Sequence, residues 1–196
     1  MKNAVTIAAI ETVRDKDGKV KKLSVTFINN CLTWMADHRT THTTKLLECR
    51  DFKDCPSPMD KLWEALAAAY GDKGIDYLYI SMHSDWEGLY IFSKIRKELS
   101  EYDRYITPER SWSNIKFNPG AVIELSGCQT AGRDGKRIPN TIAQIIANKS
   151  GVKVLGFTVR SSQKRRKDGG YFQKPEKGGY IELLPEGVDS IEGKNG

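Results

Sequence analysis

The sequence predicts a three-layer α/β domain with a mostly parallel central sheet and helices on both faces. Three observations predict it. Short, mostly apolar, β-prone runs at residues 76–82, 121–125 and 152–159 have the composition of strands covered on both faces. Amphipathic helical segments alternate with them, and strand, helix and strand joined by short links imply right-handed crossovers and a parallel sheet. Finally, 196 residues at 39% hydrophobic and 29% charged content suit one sizeable core rather than two. The whole chain, 1–196, therefore reads as a single domain, with an N-terminal hairpin over 4–28 and a frayed tail from about residue 188.

Taken in order, residues 4–13 and 22–28 are two β-prone runs joined by Asp15-Lys-Asp-Gly18, a strong hairpin signal. The apolar start reads as a strand rather than a leader peptide, because Glu11 and Arg14 follow at once with no small-residue cleavage site. Residues 29–55 are polar and threonine-rich and show no clear period. A helix is expected from Ser57-Pro58, with Ser57 as cap, Pro58 at the first position and Asp60 completing a box-like spacing. Leu62, Trp63, Leu66, Ala67 and Tyr70 carry its helical period, and Gly71 stops it. The strand over 76–82 ends in His83, and a short strand follows at 89–92. The charged and aromatic segment 94–117 reads as a helical turn or two plus loop.

The strand over 121–125 ends in Ser126-Gly-Cys128. A glycine-rich turn then leads to a helix over about 139–149, whose apolar face is Ile142, Ile145 and Ile146 and which Ser150-Gly151 ends. After the strand over 152–159 comes a basic loop, Arg160-Ser-Ser-Gln-Lys-Arg-Arg-Lys167, and a last strand at 179–184 closes the sheet.

Open α/β sheets place ligands beyond the carboxyl ends of their strands. Two interior strands ending on one rim, one in an imidazole and one in a thiol, form a candidate dyad of His83 and Cys128. A cysteine attacks as its thiolate, so a neighbouring base must take the proton, and backbone N–H groups must hold the oxyanion that forms. The small residues Ser126, Gly127, Thr130, Ala131 and Gly132 allow a substrate backbone to approach. A lone strand-end cysteine is more commonly core; the matched His83 strand is what favours the dyad.

These residues resemble the caspase-like cysteine peptidases, the group that includes separase, gingipains, clostripain and CHAT domains. Ile80-Ser-Met-His83 with Gly88-Leu-Tyr-Ile91 is similar to the histidine half of the family pattern. Leu125-Ser-Gly-Cys-Gln-Thr-Ala131 is similar to the cysteine half, in the Ala-Cys-Asn-Thr-Ala style of CHAT domains and the Gly-Cys-Asn-Val-Ala style of a bacterial domain of unknown function. The likeness spans roughly residues 60 to 185.

The resemblance implies a cytoplasmic thiol protease, a hydrolase that cuts a protein or peptide substrate through an acyl-enzyme. It implies His83 as general base, Cys128 as nucleophile, and the backbone N–H groups of Ser84 and Cys128 as oxyanion donors. Ser84 stands where family members have glycine, and the N–H is retained. It also implies that Tyr171, Phe172, Gln173 and Lys174, before the last strand, touch substrate. Trp86, in the loop after His83, is a further expected contact.

No cofactor, metal or membrane is expected. His38, His42, Cys49 and Cys55 have zinc-ligand chemistry, but their spacing fits no zinc motif. The net charge of +6 and the run Lys164-Arg-Arg-Lys167 leave a second reading: a catalytically inactive binding or adaptor module whose basic loop holds a protein or a nucleic acid. A regulatory partner is compatible with either reading.

Overall fold

The structure is a computed structural model that describes residues 1–14, 16–17, 20–92, 99–176 and 178–186. From the N-terminus, β1 (Lys2–Ala8) leads into a hairpin, β2 (Thr12–Arg14) and β3 (Val20–Leu23), then α1 (Thr26–His38) and β4 (His42–Glu48). Next come α2 (Pro58–Ala68) and β5 (Ile75–Ser81), then the short strands β6 (His83–Ser84) and β7 (Leu89–Tyr90). A single helical turn, α3 (Glu101–Arg104), precedes β8 (Tyr105–Ile106). The unit β9 (Phe117–Ser126), α4 (Ile142–Ser150) and β10 (Lys153–Gly156) comes after it. A hairpin of β11 (Ser161–Arg165) and β12 (Tyr171–Pro175), then β13 (Ile181–Leu183), completes the described chain.

Six strands form one sheet in the order β13-β10-β9-β5-β1-β4. All pairings are parallel except that of β10 with β13. Pairing aligns the side chains into rows across the strands, and the two faces differ in kind. Val5, Leu78, Ile123 and Val154 form one row, and Ile7, Ile80 and Leu125 the next, all fully buried. The alternate positions are mostly polar: Thr6, Tyr79 and Glu124 share one row, and Ser81 and Ser126 share another with Ala8.

The polar rows are largely paired internally, although Thr6 Oγ1 is buried without a hydrogen-bond partner among the described residues. Tyr77 donates to Glu124 Oε2 at 2.5 Å, and Tyr79 donates to Ser126 Oγ at 3.0 Å. Burial, reinforced by the Glu124 charge, pushes both phenols far above the ordinary tyrosine range. Trp34 of α1 packs on Tyr77 and Tyr79 at centroid distances of 4.9 and 5.7 Å. From the same helix the buried Asn30 donates to Ser81 Oγ at 3.0 Å. Val5 pairs with Lys45 on the apolar face, where Lys45 caps the Ala69 carbonyl at the end of α2 and lies over the Tyr70 ring.

Several expected boundaries move, each for a local reason. The run at 4–13 is two strands, because Ile10 leaves the sheet to donate to the Ile91 carbonyl. The run at 22–28 is strand only to Leu23: the Ser24 hydroxyl accepts from Thr26 N at 3.1 Å, and α1 starts there. The unassigned stretch 29–55 holds most of α1 and all of β4. Phe27, Cys31 and Trp34 do carry a helical period in α1, but the buried Asn30 interrupts its apolar reading.

α2 starts at Pro58 as expected, yet Ser57 makes no side-chain cap, and Asp60 binds Arg110 Nη1 at 2.9 Å instead. The helix after Cys128 begins at Ile142 rather than near 139, since the Thr141 hydroxyl caps it by accepting from Gln144 N; the left-handed Gly151 ends it. The run at 152–159 is strand only to Gly156, because Phe157 and Val159 give their backbone groups to the loop after Cys128. The last strand is shorter than residues 179–184. The expected frayed tail lies outside the described residues.

A test of the central packing comes from Ile80, fully buried on β5 between Ile7 and Leu125 of the apolar row. Ile80→Ala is expected to lower unfolding stability by about 3 kcal/mol in urea titration; a loss below about 1 kcal/mol would contradict this packing.

Candidate active site

Three neighbouring parallel strands deliver the site. Ala8 of β1 pairs with Ser81 of β5, and Ser81 pairs with Ser126 of β9. Two or three residues beyond this shared row stand Glu11, His83 and Cys128, all on the carboxyl rim of the sheet. His83 Nε2 hydrogen-bonds Glu11 Oε1 at 2.8 Å, and the Phe27 ring meets the imidazole edge-on at 5.0 Å. An ionised Glu11 can only accept, so Nε2 carries the proton and Nδ1 is left as the basic nitrogen. The His83 side chain remains 39% exposed, open to a ligand. Burial acts to raise the Glu11 carboxyl; the hydrogen bond and charge of His83, with the Ser24 and Thr26 hydroxyls, outweigh it and hold the group below its ordinary value.

Cys128 is half-buried rather than sealed in hydrocarbon. Its sulfur lies 3.4 Å from both the N–H and the carbonyl oxygen of Ser161, and 3.7 Å from the Ser161 hydroxyl. Among the described residues the sulfur and the imidazole share no hydrogen bond, a common condition of unliganded catalytic pairs. What joins their loops is Ser84, whose hydroxyl donates to the Cys128 carbonyl at 2.8 Å. This approach requires Gly127: a Cβ there would lie 2.2 Å from Ser84 Oγ and 3.1 Å from the Met82 carbonyl. Ser84 itself is buried and pairs with Leu89.

The turn after the cysteine is held just as tightly. Gln129 has φ +51°, a left-handed conformation that a side chain bears only when its surroundings enforce it. Here Gln129 N donates to the Val159 carbonyl, Ala131 N to the Phe157 carbonyl, and Thr130 Oγ1 accepts from Phe157 N. Beside this turn lies an open cavity of about 550 Å³, lined by Gln129, Asp134, Thr158, Val159, Arg160 and Glu176.

The β11–β12 hairpin brings the expected substrate-contact segment to this rim, with its residues divided between two faces. Gln173 points inward and donates to Ser161 Oγ at 3.0 Å. Tyr171, on the same face, is tied through its backbone to Thr33 of α1, and Gln163 donates to the Thr26 carbonyl and Asn30 Oδ1. Phe172 and Lys174 face solvent on the other side. Trp86 lies against Arg133 (4.7 Å to the ring centroid) and accepts from Ile142 N through its carbonyl, linking the loops after His83 and Cys128.

The zinc-type residues do not gather as a set, although the His38 and His42 rings meet edge-on at 5.5 Å. His38 stacks on Trp34 and His42 contacts Thr41, both at the amino end of β4, whereas Cys49 follows its carboxyl end and is fully buried. Burial pushes the thiols of Cys49 and of the buried Cys31 upward. Among the described residues no group of three or more His, Cys, Asp or Glu is placed to hold a metal ion.

Glu11 and Ser161 are not among the residues the sequence singles out. Glu11 carries the same signal as His83, a polar residue just past a core strand. Ser161 carries none, because its role depends on how the hairpin folds back. No family model matches the chain, and no curated protein is significantly similar to it.

Two outcomes test this geometry. Gly127→Ala is expected to cost about 2 kcal/mol or more of stability, because backbone and a tied hydroxyl must move; an unchanged urea midpoint would refute the close approach. The lowered Glu11 carboxyl stabilises the fold above its ordinary titration range, and this is lost as pH falls through its folded value. The stability gap between wild type and Glu11→Gln should therefore be wide near pH 7 and narrow toward about pH 3; an equal gap at both would exclude the Glu11–His83 linkage.

Proposed function

We propose that this protein is a cysteine endopeptidase of the caspase-like type, with its parallel sheet layered between helices. The observation that carries the reading is the common rim on which an imidazole oriented by a carboxylate and a partly exposed thiol follow adjacent parallel strands. A strand order in which only the last strand runs antiparallel supports it, as does α1 packing on the tyrosine-bearing face while α2 meets the face of Val5 and Lys45.

In the reaction, His83 takes the Cys128 proton, and the thiolate attacks the carbonyl carbon of a peptide bond. The oxyanion that forms is held by the backbone N–H groups of Cys128 and Ser84. His83 then gives its proton to the departing amine, leaving a thioester on Cys128. A water molecule, deprotonated by His83, attacks the thioester; the acid leaves and the thiol is restored. Glu11 keeps Nδ1 the basic nitrogen throughout, and the cavity beside Gln129 receives a substrate side chain. The substrate is a protein or peptide, and no cofactor takes part. The free thiols of Cys31, Cys49 and Cys128 accord with a cytoplasmic setting. Among the described residues no helix is long and apolar enough to cross a membrane.

The test is alkylation with iodoacetamide followed by peptide mapping. Cys128 is expected to react at least about tenfold faster than Cys31, Cys49 and Cys55, and His83→Ala to remove that advantage; cleavage of a peptide library should be lost in Cys128→Ala. Uniformly slow alkylation with no cleavage, alongside heparin retention that depends on Lys164, Lys167 and Lys174, would replace the peptidase by the adaptor reading.

A further inference from the structure

We infer that Ser161 and Gln173 form a hydrogen-bond relay that holds the Cys128 sulfur in its reactive, ionised form. The inference deepens the peptidase reading and rests on Cys128 being its nucleophile. Ser161 is the first residue of β11, and three of its atoms surround the sulfur: the carbonyl oxygen and N–H at 3.4 Å and the hydroxyl at 3.7 Å. These atoms serve different states of the cysteine. A neutral thiol donates its proton to the carbonyl. A thiolate has no proton to give and instead accepts, and the N–H and the hydroxyl are the donors within reach.

Whether the hydroxyl donates to sulfur depends on what else it binds. Gln173 settles this by donating Nε2–H to Ser161 Oγ at 3.0 Å, which occupies an oxygen lone pair and frees the hydroxyl proton for the sulfur. Gln173 lies diagonally across the hairpin from Ser161, on the same face, so the β11–β12 pairing sets the contact. The other end of the amide, Gln173 Oε1, is buried with no hydrogen-bond partner. Such an orphan is costly, and here it sits on the group that directs Ser161. Ser161 thus touches the reacting atom, and Gln173 is a positioning residue that acts through it.

The relay is tested on the full chain by the iodoacetamide rate at Cys128 as a function of pH. In Ser161→Ala the rate near pH 6.5 should fall about fivefold, the order of one hydrogen bond, and the half-maximal rate should move to higher pH. On the alkaline plateau the variant should rejoin wild type; a role in access alone would lower that plateau as well. Ser161→Thr, which keeps the hydroxyl, should follow the wild-type profile, and Gln173→Leu should shift in the same direction as Ser161→Ala. A profile for Ser161→Ala that superimposes on wild type overturns the relay, and an unshifted Gln173→Leu removes Gln173 from it. The dyad is judged separately, by whether His83→Ala slows alkylation, so failure of one is distinguishable from failure of the other.

Discussion

The contact on which this molecule turns is the meeting of β5 and β9 at their carboxyl ends. Parallel pairing runs from Tyr77 and Val122 to Ser81 and Ser126 and then stops, and both chains leave the sheet together. Two loops leaving one rim need something to set their spacing. The hydrogen bond from Ser84 to the Cys128 carbonyl does so, and the missing side chain of Gly127 makes room for it. With β1 as the third member of the row, a carboxylate, an imidazole and a thiol follow one another along an edge without any of them being specified by its neighbours in sequence.

The chemistry at that edge is divided between two supports. On one side Glu11 and Phe27 fix the ring of His83; on the other Ser161 surrounds the sulfur. The first support belongs to the N-terminal part of the chain and the second to a hairpin that packs on α1. Asn30 connects them physically, since it binds Ser81 under the rim and accepts from Gln163 of the hairpin. A buried polar residue in a helix facing a sheet weakens simple apolar patterning, and here it supplies hydrogen bonds in place of hydrophobic contact.

That same substitution of polarity for hydrophobicity decided what could be read from the sequence. The apolar strands over 76–82 and 121–125 were legible because continuous hydrophobic runs mark parallel strands, and with them came His83 and Cys128. α1 was not, since Asn30 interrupts its apolar face, and β4 was not, because an edge strand of threonines and a lysine has no buried period. Glu11 followed a recognisable strand but looked like any charged residue ending an apolar run. Ser161 and the division of Tyr171, Phe172, Gln173 and Lys174 between two faces depend on tertiary folding of the hairpin, which local sequence does not encode.

The long reach of the hairpin bond from Gln163 to Thr26, across 137 positions, has a consequence for the order in which properties appear during folding. Closing so large a loop is slow and comes after local strands and helices have formed. A chain emerging from synthesis therefore holds Glu11, His83 and Cys128 before it holds Ser161 and Gln173 of the hairpin. The surroundings of the Cys128 sulfur are completed only when the hairpin closes onto α1.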